Sequence, residues 1–383
     1  MNQSEYLSYQ KSARWMSIGC SVFFLTFSFM YLYFLQGDLM EATHYSFAHG
    51  KTSYSPFWGA VLITGVLFIL HRGLQALLRL KGRWIAVSYF LMMLLLGVMT
   101  DVDRMAFHGG GIPSYWCWLL PLLIIVYVLA AICLRKIEEQ YPSTDLLNVL
   151  IVNAITFLLL CLMTVLIGNT EVRFHHELAV ERNILKGNNV EALKIGKKSL
   201  ETSRTLSVLR ANAMAREGLM GEKLFEYMQP YNSDGLLFKS STPERELLRM
   251  NADSLYHFLQ AEPNEGERIM DFLKRISRID SVHTSVKDYY LCGLLLDKRV
   301  NEFTREVMNL LPDQELPRYY KEALIWQEHQ EPGFESGVND SIMRKHFGEF
   351  LKKQEERYVS KVVEKNKMRE VFGDTFWWYV TYR

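Results

Sequence analysis

Four stretches of this chain meet or approach the length of a bilayer crossing without one charged side chain: Trp15 to Leu35, Trp84 to Thr100, Tyr115 to Leu134 and Leu146 to Gly168. A hydrocarbon slab about 30 Å thick takes about 20 helical residues, and inside it every backbone N–H and C=O must find a partner within the protein. Helices are therefore predicted for all four. A fifth run, Phe57 to Leu70, is shorter; it spans if Tyr54 to Pro56 lengthen it at one end and His71 and Arg72 snorkel to the interface at the other. The expected spans then cover 15–35, 57–78, 84–100, 115–134 and 146–168. Trp15, Trp58, Trp84, Trp116 and Trp118 stand at or near the first residue of a run, where indoles favour the headgroup boundary.

Charge divides the chain into two materials. Up to Gly168 there are ten Lys/Arg and eight Asp/Glu, whereas Asn169 to Arg383 carries thirty-three and thirty-four. This predicts a transmembrane domain over 1–168 and a polar domain over 169–383. Lys and Arg in the short loops set orientation. Lys11, Arg14, Arg72, Arg79, Lys81, Arg83, Arg135 and Lys136 lie on one side, against Lys51 and Arg104 on the other. Eight against two puts the N-terminus in the cytoplasm, and five spans put the polar half outside. If the short second run were re-entrant, the polar half would be cytoplasmic instead.

Within the runs, Asn148 and Asn153 are placed to hydrogen-bond to a neighbouring helix, and Pro121 to kink the fourth span. None of the runs carries an ionisable group at mid-depth, which disfavours an ion-coupled transporter. Cys20, Cys117, Cys133 and Cys161 sit in apolar runs and read as small buried side chains. Only Cys292 is left for the polar half, so that half forms no disulfide within itself.

Beyond residue 170 the apolar residues recur at helical spacing, with no sustained strand alternation. LKGNNVEALKIGKKSLE (185–201) reads as a helix ending at Gly187, a tight turn, and a second helix with Ala192, Leu193 and Leu200 inward. REGLMGEKLFEYMQP repeats the scheme, with Gly218 falling 31 residues later. Looser units follow in a helix before Glu262-Pro263 with EGERIMDFLKRI after it, in VKDYYLCGLLLDKRVNEFTREVMNLLP and in LPRYYKEALIW, and prolines at 230, 243, 263, 312, 317 and 332 punctuate them. The expected fold class is all-α: a five-helix transmembrane bundle followed by a tetratricopeptide-like α-solenoid. Charges in this half are mixed, with no basic stripe of the kind nucleic acid needs.

The segments DYYLCGLLLDKRVNEF, LPRYYKEAL and GDTFWWYVTYR carry a resemblance. The chain, mainly from Leu146 to Arg383, is similar to a family of integral membrane proteins of unknown function from Bacteroidetes-type bacteria. In that family several spans precede an extracytoplasmic helical-repeat domain and the chain ends in a Thr-aromatic-Trp cluster. Its members often have more than five spans, so the resemblance implies a shortened form. It also implies a bacterial inner-membrane location with a periplasmic C-terminal domain, and it supplies no catalytic residues.

Three groups of polar or aromatic residues merit placement. TDVDRMAFHGGG (100–111) offers Asp101, Asp103 and His108 as catalytic candidates, because an acidic pair in an extracytoplasmic loop could bind a metal or act as general base on a lipid-linked sugar donor. The alternative reading is a polar hinge between helices. His44, His49 and His108 are the metal candidates, although no spacing makes them converge. Phe376, Trp377, Trp378, Tyr379 and Tyr382 either cap the last helix onto its domain or contact a partner or the bilayer interface. No GxSxG or phosphate-binding glycine loop occurs, and no cofactor is expected. The reading favoured is a non-enzymatic scaffold or interaction subunit at the bilayer with envelope protein partners. The alternatives are a glycosyltransferase-like enzyme and an accessory subunit of a transport complex.

Overall fold

The computed structural model describes residues 3–48, 51–105, 113–141, 145–239, 241–243, 246–279, 283, 285–312 and 315–383. The chain forms two compact units, Met1–Glu171 and Val172–Arg383. No strand occurs among the described residues.

The first unit contains α1 (Gln3–Met30), a π-helical turn (Tyr31–Leu35), α2 (Gly37–Ala48) and α3 (Pro56–Leu78). Two 3₁₀ turns (Gly82–Trp84 and Ala86–Tyr89) follow, then α4 (Phe90–Thr100), α5 (Trp116–Gln140) and α6 (Leu146–Ile167). Five segments are long and apolar enough to cross a membrane: Arg14–Leu35, Pro56–Leu78, Gly82–Thr100, Trp116–Gln140 and Leu146–Ile167. The second of these, short by sequence, starts at Pro56 in the first helical turn, where a missing N–H costs nothing. It runs on past Arg72 and stops where Arg79 turns left-handed, at φ 52°.

His71 does not snorkel. It is 2% exposed, its ring stacks on Tyr89 with centroids 3.7 Å apart, and its Nε2 lies 2.9 Å from Ser88 Oγ. Ser88 Oγ donates to the Ile85 carbonyl at 2.6 Å, so it receives the proton of His71 Nε2. A histidine expected at the interface is thus buried inside the unit, within the segment Pro56–Leu78.

The third crossing segment is broken before α4. Its 3₁₀ turns leave backbone groups that an unbroken helix would pair, and Asn153 of α6 supplies the partners. Asn153 Oδ1 accepts from Ala86 N at 2.8 Å, while its Nδ2 donates to the carbonyls of Gly82 at 3.1 Å and Val149 at 2.8 Å. Irregular backbone at membrane depth survives only where protein encloses it. Accordingly, 61% of this segment's apolar window is buried in the unit, against 28% or less for the other four. Of the two asparagines singled out by sequence, Asn153 is 1% exposed, whereas Asn148 faces outward.

At the other end of α4, polar groups join three segments. Tyr31 Oη lies 2.8 Å from Thr100 Oγ1, Gln36 Nε2 donates to the Asn169 carbonyl at 2.9 Å, and Asn169 N donates to the Thr100 carbonyl at 2.9 Å. A Cβ on Gly168 would fall 2.1 Å from Tyr31 Oη and 2.4 Å from Thr100 Oγ1, so glycine is what allows the approach. Trp15, Trp58 and Trp118 are exposed, as interfacial anchors would be, but Trp116 is buried and Trp84 is half-buried. Cys20 and Cys161 are buried, whereas Cys117 and Cys133 face outward.

The second unit begins with α7 (Val172–Leu185), α8 (Asn189–Lys194), α9 (Arg204–Arg216), α10 (Met220–Lys223), α11 (Ala252–Leu259) and α12 (Ile269–Ile276). It continues with α13 (Ser285–Leu296), α14 (Val300–Leu310), α15 (Arg318–Gln330), α16 (Ser341–Gln354), α17 (Lys361–Phe372) and α18 (Phe376–Tyr382). Neighbours in sequence pack on one another through α12, α13, α14 and α15, and α18 then lies on α15. Val180, Leu206, Met214, Tyr289, Leu294, Phe303 and Tyr320 are among the fully buried core residues. Leu200, expected inward, is 62% exposed because α8 ends at Lys194. After Gly218 the expected second helix shrinks to the single turn of α10 and a 3₁₀ turn at Leu224–Glu226.

One turn geometry closes four of these helices. Asn188 N donates to the Asn183 carbonyl, Leu219 N to Met214, Ala261 N to Tyr256 and Arg299 N to Leu294, each bond reaching back five residues. The residue just before each donor is left-handed: Gly187 (φ 75°), Gly218 (φ 67°), Gln260 (φ 57°) and Lys298 (φ 57°). This is the Schellman termination, which glycine adopts without steric cost and a side chain does not. Sequence revealed the two glycine turns only. Gln260→Gly is expected to stabilise the unit by about 0.5–1 kcal/mol, read as a raised urea midpoint of the full chain in detergent. An unchanged or lowered midpoint would contradict it.

Candidate functional site

Asp101 and Asp103, the strongest catalytic candidates by sequence, hold loops together. Tyr115 Oη and Trp116 Nε1 both donate to Asp101 Oδ2, the latter at 2.6 Å, which fastens the end of α4 to the start of α5. Asp103 Oδ1 accepts from Met105 N at 2.9 Å, a local turn bond. His108 and the three glycines after it lie outside the described residues, as does His49. His44 on α2 lies 3.4 Å from Thr52 Oγ1 and packs on Tyr54, with ring centroids 5.4 Å apart. Among the described residues no three His, Cys, Asp or Glu side chains gather as a metal-holding group. The structure therefore gives Asp101, Asp103 and His44 separate local partners and does not bring them together.

The terminal aromatic cluster faces inward. Phe376, Trp377, Trp378 and Tyr379 are each 3% exposed or less, so the reading of these four as partner or membrane contacts is corrected: they are the core of their own domain. Thr375 caps α18 by accepting from Trp378 N, and the side chains then reach three other helices, α13, α15 and α17. Trp377 Nε1 donates to the Glu322 carbonyl at 2.8 Å, Trp378 Nε1 to the Lys365 carbonyl at 3.3 Å, and Tyr379 Oη to the Leu296 carbonyl at 2.7 Å. Tyr382, half-buried, donates to Glu364 Oε1 at 2.6 Å.

Glu322 of α15 is the hub of this cluster. It is 1% exposed, and it accepts from Phe376 N at 2.7 Å and from Arg318 Nε at 2.8 Å. Burial pushes its pKa up to about 7, against the pull of Arg318 and the Phe376 amide. A second buried carboxylate, Glu181 of α7, pairs with Arg249 Nε at 2.7 Å and also accepts from the amides of Arg249 and Met250. Both acids stitch distant segments. Sequence could not mark them, because a lone glutamate on a helix reads as solvated.

Beside the cluster lies an open cavity of about 710 Å³. Its charged lining combines four cations, Lys197, Lys198, Arg369 and Arg383, with three acids, Glu226, Glu370 and Asp374. Lys197 is paired with Glu226 at 2.8 Å, and Asp374 with Arg318 at 3.2 Å. Lys198, Arg369 and Arg383 have no carboxylate partner among the described residues. The guanidinium of Arg369 sits 5.6 Å from the Trp378 ring centroid and donates to Met228 Sδ at 2.8 Å, a weak acceptor for a cation. Burial, and then the nearby charge of Arg383, hold its pKa below the ordinary arginine value. The Lys197–Lys198 pair was visible in the sequence, but nothing there linked it to Arg369, 171 positions on.

A family model described as a family of unknown function (DUF6057) matches residues 268–383, less than a third of the chain. The match runs from the threshold of α12 through α18 and so includes both Glu322 and Arg369. No curated protein and no solved structure matches the chain significantly.

Proposed function

We propose that this is a non-enzymatic scaffold or interaction subunit of a bacterial inner membrane, which displays a helical-repeat domain to envelope protein partners in the periplasm. The observation that carries the reading is how the reactive-looking groups are used. Asp101, Asp103, Glu181 and Glu322 each bind segments of their own unit, while the surface of the second unit carries open grooves. Stacked helix pairs generally offer protein-binding surfaces rather than reaction centres. The four identical helix terminations support the repeat reading, and the eight-to-two Lys/Arg bias of the loops supports the orientation.

Two measurements test it. A periplasm-active reporter fused after Leu185 should be active, and one inserted at Lys81 silent; the opposite pattern would place the domain in the cytoplasm. Affinity capture of the full chain from mild detergent should recover one or more envelope proteins in stoichiometric amount. Repeated recovery of the chain alone would refute the scaffold role.

A further inference from the structure

The corner between α16 and α17 holds apolar side chains out in solvent within a basic surround. Two bonds fix its shape: Tyr358 Oη donates to the Lys353 carbonyl at 2.7 Å, and Ser360 Oγ caps α17 by accepting from Val363 N at 3.3 Å. Between these anchors Val359 is 97% exposed, and in the first turn of α17 Val362 is 68% and Val363 38% exposed. Residues 341–372 carry nine Lys/Arg against five Asp/Glu, whereas the rest of 169–383 carries twenty-four against twenty-nine. At the corner the imbalance is sharper. Glu356 is paired with Lys353 at 3.2 Å and Glu364 accepts from Tyr382 Oη at 2.6 Å. Lys352, Arg357, Lys361, Lys365 and Lys367 form no ion pair among the described residues, and of the acids at 352–367 only Glu355 is left to oppose them.

From this arrangement we infer that the α16–α17 corner docks on the anionic surface of a bilayer, with Val359, Val362 and Val363 entering the headgroup layer and the surrounding Lys and Arg meeting lipid phosphates. The charge is complementary, and the lipid is supplied by the chain itself, since five of its segments are long and apolar enough to cross a membrane. A protein partner fits the corner less well. Stable protein interfaces bury roughly 800 Å² on each side and centre on aromatic or arginine anchors. Here the fully exposed apolar surface is that of three valines, while Tyr358 turns inward and Phe372 is buried. A contact that small is too weak between free molecules, but it suffices where one chain holds both the corner and the membrane segments, because the second binding event is then intramolecular. The inference does not rest on the scaffold reading.

The test places the full chain, one copy per disc, in nanodiscs of phosphatidylcholine or of equal parts phosphatidylcholine and phosphatidylglycerol, and follows amide exchange at 357–363. Exchange should be about threefold or more slower in the anionic discs, and the difference should shrink with added salt, while the loop at 262–268 exchanges alike in both. Two double variants separate the contributions: Arg357→Gln with Lys361→Gln removes charge, and Val359→Ser with Val362→Ser removes the apolar contact. Each should cut the slowing to about 1.5-fold or less without moving the urea midpoint, because all four side chains are exposed. Equal exchange in the two lipids, or slowing that survives in both variants, overturns the inference. So does the same slowing produced by inorganic phosphate in phosphatidylcholine discs, which would make the ligand a free anion. Slowing that needs two copies in one disc, whatever the lipid, would assign the corner to a second copy of the chain and also overturns it.

Discussion

Between about pH 8 and pH 5 the second unit is expected to become more stable, and Glu322→Gln is expected to remove on the order of 2–3 kcal/mol of that gain. The folded protein raises the pKa of Glu322 from 4.5 to about 7, so the native state holds this proton more tightly than the unfolded chain does. The contribution is fully present below about 4.5 and is lost as pH rises through about 7. Burial pushes Glu181 and Asp288 in the same direction, so Glu322→Gln flattens the profile without abolishing it. The lower limit is set by groups of opposite sign. Arg344 and Ser336 hold Glu328 down to about 2, and its contribution disappears as acid protonates it. Glu322→Ala behaves differently, because it strands the buried Phe376 amide and deprives Arg318 of its nearer carboxylate. A loss of about 3 kcal/mol is expected at pH 5, and it shrinks toward pH 8, because alanine also lacks the carboxyl whose protonation stabilises the wild type at the lower pH. Urea titrations of the full chain in detergent, followed by the exchange protection of α18 amides, check each value. Identical pH slopes for wild type and Glu322→Gln would sink the assignment.

The difference between Asp101 and Glu322 shows where sequence reasoning reached and where it stopped. Five apolar runs announced five segments long and apolar enough to cross a membrane, because bilayer thickness and backbone pairing leave few alternatives. Helices over 252–259, 269–276, 285–296, 300–310 and 318–330 were readable from apolar spacing and the prolines between them. The break before α4 was not readable. Trp84 to Tyr89 carries no charge, proline or glycine, and the amide that pairs the broken backbone there is on another helix, 67 positions from Ala86. Two of the four left-handed turns were missed because Gln260 and Lys298 lack glycine's signature. Asp101 looked catalytic because it pairs with Asp103 in a loop between two apolar runs, whereas Glu322 looked ordinary because acids on polar helices are common. Burial and hydrogen bonding invert that ranking, and neither is a property of local sequence. The terminal rings were correctly singled out as unusual, but a cluster that packs a domain and one that meets a partner have the same composition; only the donors on Trp377, Trp378 and Tyr379 reveal which segments they secure.

In the first unit the largest effect is expected from Asn153→Leu. The substitution keeps the volume roughly constant, so the loss is not mainly one of packing. It removes the acceptor for Ala86 N and the donor to the Gly82 carbonyl, two backbone groups that lie in 3₁₀ turns within a crossing segment. Elsewhere water could replace them. Inside a bilayer or a micelle core it does not, and each unmet group costs on the order of 1–3 kcal/mol. The expected destabilisation is therefore about 2–4 kcal/mol, measured by loss of helicity on titrating SDS into dodecylmaltoside micelles. Asn148→Leu is the internal control: the residue faces outward on the same helix, and its replacement should shift the transition by about 0.5 kcal/mol or less. Thiol labelling reports the same opening independently. Cys117 and Cys133 face outward and should label alike in both variants, whereas the buried Cys20 and Cys161 should label faster once Asn153 no longer holds the broken segment. Equal transitions for Asn153→Leu and Asn148→Leu would mean that the backbone of Gly82 to Tyr89 finds its partners elsewhere, and that the break in the third segment does not depend on α6.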